Sequence, residues 1–217
     1  MAEYTSDEER FSALINFFKD NKNTLLIGLV GALIIAISFF AYNSYDANQN
    51  AEASKLYDDW FSSLNTELSN EDDQFESFNN LQNQYSNTGH AMLARMVRAS
   101  SYARKGDLEK ALADYRILLD DTSGIFGNEM LNSIAKLNIA RIELSKSNYS
   151  KALEVLESFD TNSEHTLIYE VKGDALVGLK KNELAIDQYT YALENARNDS
   201  QRSLIKMKIN NIANSSQ

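Results

Sequence analysis

The sequence predicts an all-α chain: a single N-terminal transmembrane helix, then an α-solenoid of about four helical hairpins and a C-terminal capping helix. Three observations carry this. The stretch from Leu25 to Tyr42 (LLIGLVGALIIAISFFAY) holds no charged residue. The 217 residues include no proline and only 8 glycines, which disfavours a sheet rich in tight turns and favours long helices joined by brief polar turns. Beyond the apolar stretch, small and aromatic residues recur in one pattern three times.

The apolar stretch comes first. At about 1.5 Å per residue it spans about 27 Å as a helix, close to the roughly 30 Å of a hydrocarbon core. A core helix of a water-soluble domain would carry polar residues every third or fourth position, and this stretch does not. Arg10, Lys19 and Lys22 precede it, whereas Lys55 is the first basic residue after it and follows Asp46 and Glu52. Positive charge resists translocation, so the N-terminus is expected in the cytoplasm and the remainder across the membrane. A cleaved signal peptide fits less well: the leader begins acidic (Glu3, Asp7, Glu8, Glu9), the apolar run is long, and Phe39-Phe40-Ala41 is a poor cleavage context. The expected organisation is a cytoplasmic tail over 1–24, a transmembrane helix over 25–45 and an extracytoplasmic repeat domain over 46–217.

In the tail, Ser6-Asp7-Glu8-Glu9 has the spacing of a capping box, and Phe11, Leu14, Ile15 and Phe18 form one apolar stripe. Two readings stand: a helix resting in the headgroup region, or a docking helix for a cytoplasmic partner. Within the span, Gly28, Ala32 and Ala36 fall on one face that would let a second membrane helix approach closely.

Residues 46–55 contain neither glycine nor proline and can continue the helix outward. Ala53, Leu56, Tyr57, Trp60, Phe61, Leu64 and Leu68 then recur at helical period. An acidic turn, Glu71-Asp72-Asp73, leads to a second stripe of Phe75, Phe78, Leu81 and Tyr85. The two stripes predict a helical hairpin with Trp60 as a packed anchor. Three more hairpins follow. Ala99, Tyr102, Gly106, Leu108, Ala111 and Tyr115 lie at the spacing of a tetratricopeptide repeat, in which small residues let paired helices approach and an aromatic fills the next groove. Ala140, Ala152 and Leu156 repeat it, then Gly173, Leu176, Ala185, Tyr189 and Ala192. The anchors Ala111, Ala152 and Ala185 recur near the nominal ~34 residues. The first interval is longer, which puts an extended loop at residues 120–128. A polar turn precedes each anchor: Lys105-Gly106-Asp107, Ser147-Asn148 and Lys180-Lys181-Asn182. A last helix, about residues 200–211, would cover the open face of the third hairpin.

An aromatic helix running into the anchor (FFKDNKNTLLIGLVGAL), an outer repeat domain and a terminal MKINN at Met207–Asn211 together resemble the ancillary-subunit family of the bacterial Sec translocon (YfgM-like). The resemblance covers essentially the whole chain. It implies an inner-membrane protein whose periplasmic domain works beside the Sec translocon subunits with a membrane-anchored prolyl-isomerase-like chaperone, helping secreted client proteins leave. It also implies a possible second role of the tail in restraining a cytoplasmic stress-response regulator.

The residues themselves offer no catalytic constellation, and no cofactor or metal is expected. With no cysteine there is no disulfide, thiol nucleophile or thiolate metal site. His90 and His165 are expected at helix starts, in capping or surface roles. The acidic clusters lack a calcium-loop pattern, there is no glycine-rich phosphate loop, and a net charge of −10 opposes nucleic-acid binding. What remains is a surface for proteins. In a stack of hairpins the first helices line the concave side. The repeat register assigns Leu93, Met96 and Ser100 to that groove, then Ile134, Leu137 and Arg141, then Leu167, Glu170 and Asp174. Several of these, Leu137 and Leu167 among them, serve equally well as inter-helix core. Rival readings are a scaffold for another envelope complex and a regulator acting through the tail.

Overall fold

The computed structural model describes residues 7–64, 71–124, 127–157, 159 and 166–215, and every regular element among them is an α-helix. The chain divides into two compact units, Met1–Lys55 and Leu56–Gln217.

The first unit holds α1 (Asp7–Asp20) and most of α2 (Lys22–Ser63). Asn21 separates them. Its N–H still completes α1 by donating to Phe17 O at 3.0 Å, and its carbonyl starts α2 by accepting from Leu25 N at 2.9 Å. Its side-chain amide donates to Phe17 O as well, at 2.9 Å. The capping residue Ser6 lies outside the described residues. From Leu25 to Tyr45 the large apolar side chains of α2 are exposed, and none of its apolar window is buried within the protein. α2 is long and apolar enough to cross a membrane. Residues 46–55 continue it without a break.

The second unit begins with the last turns of α2, followed by α3 (Glu71–Tyr85), α4 (Gly89–Lys105), α5 (Leu108–Asp121) and α6 (Glu129–Ser145). α7 (Tyr149–Glu157), α8 (Thr166–Gly178), α9 (Asn182–Glu194) and α10 (Asp199–Ser215) complete it. α4 packs on α5, α6 on α7 and α8 on α9; each hairpin then packs on the next, and α6 also meets α4 on one side and α8 on the other. That is the stacking of an α-solenoid.

The small-residue anchors explain the close pairing. Ala99 and Ala111 are fully buried in one core layer with Tyr115 and Leu118. Ala140 and Ala152 occupy the next with Leu156, Ile168 and Val171. Ala185, Tyr189 and Ala192 form the third with Ile205 and Ile212 of α10. α10 thus caps the stack, and it runs beyond the predicted 200–211 because Ile212 still has core to cover. Each buried Leu, Ile or aromatic side chain contributes about 1.5–3 kcal/mol.

The turns inside the three hairpins are congruent. Gly106, Ser147 and Lys180 sit at φ 83°, 61° and 60° in the left-handed region. In each case the next N–H reaches back to the helix: Asp107 to Tyr102 O (3.0 Å), Asn148 to Glu143 O (2.8 Å), Lys181 to Leu176 O (2.9 Å). This is the hydrogen bonding of a Schellman stop. The predicted polar turns are therefore one backbone device used three times, in two copies without glycine. The longer loop also falls as expected, between Asp121 and Glu129.

The first pair differs in detail from its prediction. Trp60 is 1% exposed, with its ring 5.6 Å from Phe78. Phe75, assigned to the same stripe, is exposed, and Glu71-Asp72-Asp73 is the first turn of α3 rather than a turn before it. Acidic residues favour a helix start because the N-terminal dipole attracts negative charge. Leu68 lies outside the described residues.

Candidate functional site

Two exposed apolar side chains of the repeat unit, Met130 and Leu167, lie where α6 and α8 run side by side. Two polar devices set the geometry. Asn128 Oδ1 accepts from Leu131 N at 3.0 Å and caps α6, while Asn132 Nδ2 donates to Leu119 O (3.2 Å), tying α6 to the end of α5. Thr166 Oγ1 donates to Asn195 O at 2.7 Å, which fixes the start of α8 on the end of α9. Between α6 and α8 lies a cavity of about 530 Å³, lined mainly by Met130, Ile134, Leu137, Phe159, Leu167 and Ile168. Glu129 and Arg197 add exposed charges of opposite sign, and Ser133 and Gln201 add polar contacts. Met130 is 67% exposed and Leu167 40%, so apolar surface faces the opening.

Of the nine groove residues the repeat register assigned, Ile134, Leu137 and Leu167 line this cavity. Leu93 and Met96 are half-buried on α4, where Met96 packs against the first core layer. Ser100 Oγ pairs with Tyr115 Oη at 2.7 Å, and Arg141 is exposed on α6. Glu170 and Asp174 are engaged inside the protein. Lys208 of α10 reaches Glu170 Oε1 at 2.7 Å and both Asp174 oxygens at 2.7 and 2.8 Å. Tyr189 Oη donates to Asp174 at 2.6 Å. Burial, then the Asp174 hydrogen bond and the charges of Asp174 and Glu170, push the Tyr189 phenol far above its ordinary range. On α2, Gly28 has open space around it, and Ala32 and Ala36 are exposed.

Met130 lies one turn before Ile134 on the same helical face, so the period that picked Ile134 could have picked it too. Phe159, Arg197 and Gln201 come from other elements and carry no such signal. His90 is half-buried with its ring 6.0 Å from Tyr57; Thr88, not His90, caps α4. His165 lies outside the described residues.

The strongest ionic cluster elsewhere is structural. Arg98 donates to both Asp114 oxygens at 2.8 and 2.7 Å and stacks 3.4 Å above the Phe78 ring, while Arg95 donates to Gln82 from the other side. These bonds join α3, α4 and α5. Among the described residues no group of three or more His, Asp or Glu could hold a metal ion. The groove therefore offers apolar contact framed by charge, the chemistry of a docking surface for a peptide segment.

Two curated relatives match this chain along most of its length. The ancillary SecYEG translocon subunit of Escherichia coli K12 is 22% identical over 210 residues, covering 97% of this chain and 98% of the relative. The protein of that name from Buchnera aphidicola subsp. Acyrthosiphon pisum is 25% identical over 195 residues, covering 88% and 96%. Among solved structures, MamA 41-end from Desulfovibrio magneticus RS-1 shares the fold at a TM-score of 0.52 and 15% identity, over 75% of this chain and 94% of that one. The family model described as tetratricopeptide repeat-like domain matches residues 16–214, which takes in the three hairpins, their anchors and the capping helix. With three congruent hairpin turns and three anchored cores to support that match, the chain belongs to the tetratricopeptide repeat-like domain family.

Proposed function

We propose that this chain is a single-pass inner-membrane protein, N-terminus inside, whose repeat unit is a protein-interaction module beside the Sec translocon on the periplasmic side. Its finer role in this reading is to help pass emerging secreted segments to a membrane-anchored chaperone. The observation that carries the reading is the apolar groove between α6 and α8, with Met130 and Leu167 open to solvent at its mouth. The relatives named as translocon subunits, which this chain matches almost end to end, support where such a groove works. The anchor supports the rest. Confinement beside an exit channel raises the local concentration of a weakly bound segment, so a shallow site suffices.

Photo-crosslinkers placed at Met130, Leu167 and Arg141 in intact membranes test this. The expected products are translocon subunits, a periplasmic chaperone and secreted chains, with yields highest from the two groove positions. Recovery of division or wall-synthesis proteins alone would instead assign the module to another envelope complex.

A further inference from the structure

We infer that α1 is an interfacial helix that lies along the membrane surface beside the anchor, its apolar stripe in the acyl boundary and its flanking cations at anionic lipid phosphates. The inference rests on the reading of α2 as a membrane anchor. It adds a second, lipid-binding contact that the anchor does not require.

Four observations support it. Phe11, Leu14, Ile15 and Phe18 share one face of α1, Phe17 widens that face, and all five are exposed, from 39% to 65%. Among the described residues nothing covers them. At about 3.6 residues per turn, Arg10 falls between Leu14 and Phe17 on one side of the stripe and Lys19 just beyond Ile15 on the other, while Glu9, Asn16 and Asp20 fall on the opposite face. Long basic side chains beside an apolar stripe can lie along it and reach phosphate, as helices at a bilayer surface require.

The third observation is distance along the chain. Asn21 alone separates α1 from α2, and the apolar run of α2 begins at Leu25, so α1 cannot leave the neighbourhood of the bilayer. The fourth is the break itself. Asn21 ends one helix and starts the other, with its side-chain amide on Phe17 O, so the regular ladder is interrupted there and α1 can turn relative to the span. A stripe merely continuing the anchor would need no break and no charged borders.

The chain has no cysteine, so single cysteines report position cleanly. The full chain, carrying Phe11→Cys, Phe18→Cys, Ser12→Cys, Asn16→Cys or Ile35→Cys, is spin-labelled in vesicles of phosphatidylethanolamine and phosphatidylglycerol. The measurement is relative accessibility to oxygen and to a water-soluble nickel complex. The expected result is deep burial at 35, intermediate depth at 11 and 18, and water exposure at 12 and 16. Replacing phosphatidylglycerol with phosphatidylcholine, or combining Arg10→Gln with Lys19→Gln, should shift 11 and 18 toward water and leave 35 unchanged. If 35 is in lipid but 11 and 18 match 12 and 16, the inference is overturned and the stripe belongs to a protein partner. If 35 itself is in water, the anchor reading fails and this inference fails with it. If depth at 11 and 18 ignores both lipid charge and the double substitution, the assigned role of the flanking cations is wrong.

Discussion

The ring of Tyr189 lies where a side chain on Gly173 would have to go: a Cβ on Gly173 would stand 2.4 Å from Tyr189 Cε1. The glycine sits in α8 and the tyrosine in α9, and the ring cannot simply swing aside because its hydroxyl is tied to Asp174. Glycine inside a helix costs about 1 kcal/mol relative to alanine. Here it is kept because the Tyr189 ring packs directly against the α8 backbone.

Gly173→Ala should therefore destabilise the repeat unit, by about 1–3 kcal/mol of overpacking set against the propensity gain. Thermal melting of the full chain in mild detergent, followed by circular dichroism, would check it. A raised melting temperature would mean the ring yields.

The left-handed turn residues make the opposite prediction. Ser147 and Lys180 hold φ near 60° with a Cβ in place, a conformation that costs roughly 1–2 kcal/mol. Ser147→Gly and Lys180→Gly should each stabilise by about 0.5–1 kcal/mol, the relieved strain being partly offset by added freedom in the unfolded chain. Gly106→Ala should destabilise by about 1 kcal/mol. Chemical denaturation midpoints of the three variants, measured side by side, would show the two signs.

Lys208 fastens α10 to α8. Burial works to lower its pKa, but the hydrogen bonds and charges of Asp174 and Glu170 outweigh this and hold it above its ordinary value. Tyr189 is raised as well, first by burial and then by Asp174. Both groups hold their protons more tightly folded than unfolded. Their contribution is thus complete below the unfolded values, about 10, and is lost as pH rises through the folded ones. The cap should loosen in alkali above about pH 10, with little change between pH 6 and 9. Lys208→Met should cost about 2 kcal/mol, less than for a fully buried pair because the lysine side chain is 22% exposed. Hydrogen exchange of α10 amides against pH would follow both effects.

The groove predicts a separation of stability from binding. Leu167 is 40% exposed, so Leu167→Glu should change the melting temperature by no more than about 0.5 kcal/mol equivalent while reducing crosslinking of partner chains from Met130. Ile168→Glu, at 3% exposure on the neighbouring position, should instead unfold the third hairpin. Equal effects of the two on melting would remove Leu167 from the groove mouth.

The predicted and observed folds agree most closely where a rule depends only on neighbours along the chain. Helical period, the absence of proline and the uncharged run of α2 needed nothing else. The anchor alanines were legible because close helix packing admits only small residues at fixed spacing. Phe75 shows the limit: its period matches the stripe, but exposure depends on where α3 ends up. The groove shows it more clearly. Phe159 and Arg197 enter it from separate elements, and no period links them to Met130.

By itself the sequence determined that this is an α-helical repeat with one apolar helix ahead of it, because periodicity and side-chain size act locally. Only the tertiary structure decided which polar residues are available to a partner. Glu170 and Asp174 lie in the repeat register as groove candidates, yet a lysine 34 residues beyond Asp174 holds both. A charge is free or paired according to what folds back onto it, and that is a property of distance in space.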